Sequence, residues 1–172
     1  MTKAARLHAW ERPLWTCPTC GQRYVTRDTW HSCATVPWEA HFEGRPKARE
    51  LWDALRAMVE ADGPVTIVST KTGVGFMTRV RFGGCQARKD YLRCGVWLKR
   101  RYDSPRIVRI EQWGPHDFGM FFLVRELGGI DDEVRALFRE ARRVGDQEHL
   151  RPNAEGARAL GPRDEVPARP NG

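Results

Sequence analysis

The chain has 172 residues, of which 41% are hydrophobic and 30% are charged, with a formal net charge of +7 at pH 7. This length fits one ordinary domain together with a small module, and no apolar run approaches the roughly 18 residues that a membrane-spanning helix needs. The N-terminus, MTKAARLH, lacks the apolar core of a signal peptide, and five cysteines, an odd number, fit a reducing compartment, so we expect a cytoplasmic location.

Two short motifs near the N-terminus predict a metal site. In Cys17-Pro18-Thr19-Cys20-Gly21, two cysteines separated by two residues point both thiolates at one spot. Trp30-His31-Ser32-Cys33 adds a nitrogen and a third sulfur. Four ligands of these types, arranged in two pairs, suit tetrahedral zinc. The sequence therefore predicts one Zn²⁺ ion bound by Cys17, Cys20, His31 and Cys33.

The sequence leaves two alternatives to this site open. His41 competes with His31 as the fourth ligand, and the same cysteines would otherwise form a metal-free thiol cluster or a disulfide. A zinc ion with four protein ligands is usually structural, whereas a catalytic zinc keeps an open position. We therefore predict a small zinc-knuckle module with an irregular N-terminal arm over residues 1–43. We call this segment the metal module.

Residues 44–150 have the pattern of an α+β domain. A first helix begins near Pro46 and ends at Asp62-Gly63-Pro64, because glycine and proline stop helices. Five strands follow, at about residues 65–69, 75–82, 90–99, 106–113 and 118–125, by their alternation of apolar and polar residues. Asp131 then caps a second helix. Short links between the strands predict a mostly antiparallel five-stranded sheet with flanking helices, which is a two-layer α+β fold.

The last part of the chain differs in composition from the rest. Residues 151–172 are rich in Pro, Gly, Ala and charges of both signs, and they contain a single leucine. Such a segment cannot bury enough apolar surface to order itself, so we predict a disordered tail.

Basic charge is concentrated in the predicted sheet. Residues 76–109 hold ten basic residues and two acids, so this stretch alone carries +8. A basic face attracts polyanions, and an aromatic ring on such a face can stack on a base. The leading prediction is therefore a non-catalytic protein that binds DNA or RNA through a basic sheet face, and the alternative is a solvated arginine-rich face without a ligand. The residues predicted to contact nucleic acid are Arg79, Arg81, Arg93, Trp97, Lys99 and Arg109.

Two further hypotheses concern other ligands. One is a small-molecule or anion-binding domain, as a binding protein or an enzyme, and its residues at one edge of the sheet would be Lys71, Arg88, Lys89 and His116. Lys71 lies in Ser69-Thr70-Lys71-Thr72-Gly73, which lacks the glycines of a Walker motif. No GxSxG or HExxH motif is present, so the sequence assigns no reaction. The other hypothesis is a protein-interaction adaptor that makes contact through the metal module.

Short matches along the chain indicate a family. They comprise the two cysteine motifs and Gly63-Pro64-Val65, Thr70-Lys71-Thr72, Gly75-Phe76, Arg88-Lys89 and Val144-Gly145-Asp146-Gln147-Glu148-His149-Leu150. In these residues the chain resembles bacterial proteins with the domain of unknown function 5655, in which a CPxCG…HSC zinc segment precedes a small α+β domain. The resemblance covers about residues 15–150. It implies the same order of zinc segment and α+β domain, and it implies no particular activity.

Overall fold

A computed structural model of the chain describes residues 8–33 and 36–152. The beginning of the predicted irregular arm and all but the first two residues of the predicted tail lie outside these residues. The described residues form an α+β fold with two helices, one large sheet and a cysteine–histidine cluster near the N-terminus. None of the helices among them is long and apolar enough to cross a membrane.

The elements follow one another in the predicted order of metal module, helix, strands and helix. The metal module contains a two-stranded ribbon of β1 (Trp15–Thr16) and β2 (Arg23–Tyr24), and helix α1 (Pro46–Glu60) comes next. The main sheet consists of β3 (Thr66–Ser69), β4 (Val74–Met77), β5 (Arg81–Ala87), β6 (Leu92–Leu98), β7 (Arg109–Gly114) and β8 (Asp117–Val124). Helix α2 (Asp132–Gly145) completes the domain, and short 3-10 helices lie at Trp38–Phe42, Leu127–Gly129 and Glu148–Leu150. The strand order is β3-β4-β5-β6-β8-β7, and every neighbouring pair is antiparallel.

Local signals explain where the two helices begin and end. Pro46 occupies the first turn of α1, where its missing N–H has no helical partner to lose. Beyond the end of α1, Gly63 adopts φ +121°, a backbone conformation that favours glycine. At the start of α2, the side chain of Asp131 accepts a hydrogen bond from the backbone N–H of Val134, at 3.0 Å. Both predicted helices are therefore present.

The helices pack on one face of the main sheet through aromatic side chains. Trp52 of α1 stacks on Phe76 of β4, with ring centroids 5.0 Å apart. Phe138 of α2 meets Phe76 edge-on at 5.6 Å and also contacts Phe122 of β8. These four side chains have at most 2% of their surface exposed, so they form the centre of the core. The opposite face of the sheet is called the open face below.

The prediction of a single strand over residues 75–82 is wrong, and the sheet therefore has six strands instead of five. The chain reverses over residues 78–80, where the N–H of Val80 donates to the carbonyl of Gly145 at the end of α2, at 3.0 Å. Residues 77–81, MTRVR, contain no Gly, Pro, Asn or Asp, so the local sequence carries no turn signal. Beside this turn, β5 has one residue more than β4, because Phe76 pairs with Gly83 and Met77 pairs with Arg81. The extra residue, Phe82, is buried in the core, whereas the side chain of Arg81 lies on the open face.

Candidate metal centre and sheet groove

The four predicted metal ligands converge on one point. The Sγ atoms of Cys17 and Cys33 lie 3.6 Å apart, and Nε2 of His31 lies 3.0 Å from Cys33 Sγ and 3.3 Å from Cys20 Sγ. All four ligand atoms lie within 4.8 Å of one another. Zinc–sulfur bonds of about 2.3 Å in a tetrahedron place two sulfurs roughly 3.8 Å apart. The cluster therefore has the size and the donor atoms to hold one metal ion.

Backbone geometry places the cysteine pair. Gly21 adopts φ +71°, and its N–H donates to the carbonyl of Cys17 at 2.9 Å, which closes the knuckle. The backbone N–H of Cys20, with a further contribution from Thr19, lowers the pKa of the Cys17 thiol to about 6. The hydrogen bond with Cys17 raises the pKa of Cys33 to about 11. A metal ion binds thiolates, so metal binding here would release the thiol protons.

The second half of the cluster depends on the orientation of His31. Nδ1 of His31 lies 2.7 Å from the carbonyl of Thr29, so with Nδ1 as the donor, Nε2 is free to face the three sulfurs. The ring also packs against Tyr24, with centroids 4.5 Å apart. His41 lies elsewhere, with Nε2 at 3.0 Å from Oγ of Ser69. Of the two histidines considered, His31 is therefore the one in the cluster.

A groove of about 310 Å³ crosses the open face of the main sheet, and we call it the sheet groove. Its floor is a row of glycines, because Gly75, Gly84 and Gly95 are register partners on β4, β5 and β6. A Cβ at Gly95 would lie 2.9 Å from the ring of Phe121, so the floor has no room for a side chain there. A Cβ at Gly75 would likewise lie 2.7 Å from the side chain of Arg81, so these glycines make room for the side chains of Arg81 and Phe121 that lie across the floor.

Basic and aromatic side chains form the walls of the sheet groove. On one side, the guanidinium of Arg81 lies over the ring of Trp97, 5.0 Å from its centroid. On the other side stands Arg93, the register partner of Gln86. At the β7–β8 end, the guanidinium of Arg109 lies 5.7 Å from the ring centroid of Phe121. Three arginines and two aromatic rings therefore surround one glycine floor.

The charge of the sheet groove is largely unneutralised. Of the described residues, Glu111 is the only acid that lines it, and Glu111 pairs with Arg109. Among the described residues, neither Arg81 nor Arg93 has a carboxylate within ion-pair distance. Surrounding protein lowers the pKa of Arg81 by desolvation, but Arg81 is exposed and a guanidinium stays charged at neutral pH. An accessible cation without a partner attracts an anionic ligand.

The other predicted nucleic-acid contacts lie outside the sheet groove. Arg79 is in the turn between β4 and β5, where its Nε donates to the side chain of Gln147 at 2.9 Å. Nζ of Lys99 lies 2.5 Å from a carboxylate oxygen of Asp117. The structure thus brings together Arg81, Arg93, Trp97 and Arg109, and it places Arg79 and Lys99 with other partners.

The four residues of the alternative anion site are divided among three turns of the main sheet. Lys71 is in the β3–β4 loop, whereas Arg88 and Lys89 are in the β5–β6 turn. His116 is in the β7–β8 turn, at the opposite end of the strands from Arg88. Strand β6, which has 7 residues, separates these two ends, a span of roughly 20 Å. The described structure does not gather these four side chains in one pocket.

Comparisons with protein-family models, with curated proteins and with solved structures gave no match to this chain. The resemblance to proteins with the domain of unknown function 5655 therefore stays a prediction. A fold alone does not determine a function, so function is inferred from the metal cluster and the sheet groove themselves.

Sequence reasoning missed several residues of the sheet groove. They are the floor glycines, Phe121 at the far end, and Thr70 and Thr72 from the β3–β4 loop. A usable signal was present for the floor, because Gly83-Gly84 and Gly95 fall inside or beside segments with strand alternation, where glycine is unfavourable. No local signal marked Thr70, Thr72 or Phe121, whose positions depend on strand register.

Proposed function

We propose that this protein contains structural zinc and binds single-stranded DNA or RNA in the sheet groove. The observation that carries the proposal is the convergence of three arginines and two aromatic rings on one glycine floor. Unpaired guanidinium groups suit phosphates, and aromatic rings suit bases. The protein would act by binding, without a reaction of its own.

Zinc is the ion that suits the metal cluster best. Thiolate and imidazole ligands together favour zinc over magnesium or calcium, which prefer oxygen ligands. Four protein ligands complete a tetrahedron and leave no position for a substrate, so the ion would have a structural role. It would hold the metal module in shape beside the main sheet, to which Gln22 is tied by a hydrogen bond from Nε2 to the carbonyl of Ser69, at 3.2 Å.

The nature of the sheet groove favours a single strand over a duplex. The rings of Trp97 and Phe121 lie in the groove and are only half-buried, and each carries an arginine guanidinium over its ring, so a base would stack on an arginine–aromatic pair. A duplex keeps its base faces stacked inside, whereas a single strand can turn them outward. Stacking accepts every base, so we expect little dependence on sequence.

The test is a fluorescence anisotropy titration of a labelled oligothymidine of about twelve nucleotides, a length within the range of single-strand binding sites. We expect saturable binding to the wild type and weaker binding of the matching duplex. Trp97→Ala should raise the dissociation constant by about 5- to 150-fold, which corresponds to the loss of one base–aromatic stacking contact. Arg143 is exposed on α2, on the opposite side of the sheet, so Arg143→Gln should bind as the wild type does. Absence of saturable binding to single-stranded DNA and RNA at low salt would overturn the proposal.

The volume of the sheet groove favours a second candidate, a small anion with a planar ring. About 310 Å³ is enough for one such molecule, at the lower end of the usual range for ligand pockets. A mononucleotide would meet the same arginines and Trp97. Competition separates the two candidates, because a mononucleotide that binds more tightly than the oligonucleotide would make the small anion the preferred ligand.

A further inference from the structure

A second cavity continues the sheet groove toward the metal module. It has a volume of about 480 Å³ and lies between the metal module and the β3–β4 loop, and we call it the module cavity. Tyr24, Trp30 and His31 line it from the module. Thr70, Thr72 and Arg81 line both cavities. The two cavities are therefore adjacent, with these three residues between them.

The side chains of the module cavity repeat the chemistry of the sheet groove. Trp30 has 90% of its surface exposed, the largest value among the exposed apolar residues of the described chain. Lys71 and Arg81 provide positive charge, and the lining contains no acid within residues 8–33 and 36–152. An exposed ring beside unneutralised cations is again the combination that suits a base and its phosphate.

Trp30 is directly attached to the backbone of the metal cluster. Trp30 lies between Thr29, whose carbonyl contacts Nδ1 of His31, and the metal ligand His31 itself. Ser32 and the ligand Cys33 follow directly. A bound ion would therefore fix the backbone on the C-terminal side of Trp30 against the Cys17–Cys20 knuckle. Without the ion, three neighbouring thiols and an imidazole would remain, which is a much weaker tether.

We infer that single-stranded nucleic acid extends from the sheet groove into the module cavity, where Trp30 stacks on a further base, and that the metal ion sets the length of strand bound. This inference rests on the proposed function and adds a second stacking position and a role for the metal in binding. Short oligonucleotides would use the sheet groove alone, and longer ones would use both cavities.

The test compares the affinities of labelled oligothymidines of about four and about twelve nucleotides, a range that spans single-strand site sizes. In the wild type with its metal, the longer strand should bind more tightly by about 5- to 150-fold, the value of one further stacked base. Trp30→Ala should remove this gain and leave the affinity for the short strand unchanged. Chelation of the metal should have the same two effects. Val25→Ala removes another exposed apolar side chain of the module that does not line the cavity, and it should behave as the wild type does.

The possible outcomes separate the inference from the proposed function. If Trp30→Ala keeps the length-dependent gain while Trp97→Ala weakens both oligonucleotides, the inference is overturned and the proposed function stands. If chelation leaves the gain intact, the role of the metal is overturned. If neither oligonucleotide binds the wild type, the proposed function and the inference fall together.

Discussion

Removal of one arginine from the sheet groove should change the salt dependence of binding by a calculable amount. Arg93 forms no ion pair with a described residue, so Arg93→Gln removes a phosphate contact without breaking an internal one. Each phosphate contact to a single strand adds about 0.7 to the steepness of log affinity against log salt, so the two unpaired arginines, Arg81 and Arg93, predict a slope of about 1.4 and the variant a slope of about 0.7. Between about 50 and about 200 mM salt, the wild type should lose about 7-fold in affinity and the variant about 3-fold.

The assay is anisotropy with one labelled oligothymidine, repeated over a series of salt concentrations. Arg143→Gln carries the same loss of charge on α2, far from the groove, and should keep the wild-type slope. Trp97→Ala should lower the affinity at every salt concentration and also keep the slope, because stacking releases no counterion. A variant Arg93→Gln with the wild-type slope would refute the assignment of Arg93 to a phosphate, and a flat wild-type curve would refute it for both unpaired arginines.

Three further predictions concern the metal and the fold. Metal analysis should find one zinc per chain. Cys17→Ser should lose the zinc, and His41→Ala should keep it. Loss of zinc from His41→Ala would show that His31 is wrongly assigned as the fourth ligand. Chelation should leave the far-UV circular dichroism of the main sheet intact, because its core comes from α1, α2 and the six strands; a loss over the whole spectrum would show that the domain needs the metal. Glu133 accepts hydrogen bonds from Ser104 and Arg106, which lower its pKa, so Glu133→Gln should cost about 1–2 kcal/mol in urea unfolding at neutral pH. The Glu133 carboxylate stabilises the fold above its unfolded pKa of about 4.3, and this stabilisation is lost as the pH falls through its lower folded pKa. The difference in free energy of unfolding between the wild type and Glu133→Gln should therefore vanish in strong acid. A difference that stays constant with pH would contradict the role given to the Glu133 carboxylate.

Features encoded over a few neighbouring residues could be predicted from the sequence. The ligand cluster follows from two short motifs, since the Cys17–Cys20 knuckle needs only its own backbone and Gly21 to form. Helix α2 follows from the cap at Asp131 and the apolar stripe behind it. In both cases the hydrogen bonds that fix the local backbone join residues three or four positions apart.

Features that depend on distant residues could not be predicted. The reversal between β4 and β5 is held by a hydrogen bond from Val80 to Gly145, which are 65 positions apart (145 − 80). It moves Arg79 off the strand, so simple alternation placed this side chain on the wrong element. The sheet groove exists because register aligns Gly75, Gly84 and Gly95 across three strands. The glycines are visible in each strand, but their alignment is a property of the whole sheet.

Ultraviolet crosslinking of a bound oligothymidine, followed by mass spectrometry of the peptides, tests the central claim most directly. It reports which side chains touch the bases, independently of affinity. We predict crosslinks in the peptides that carry Trp97 of β6 and Phe121 of β8, whose rings lie in the sheet groove. Crosslinks confined to α1 and α2, on the other face of the sheet, would contradict the claim that nucleic acid binds in this groove.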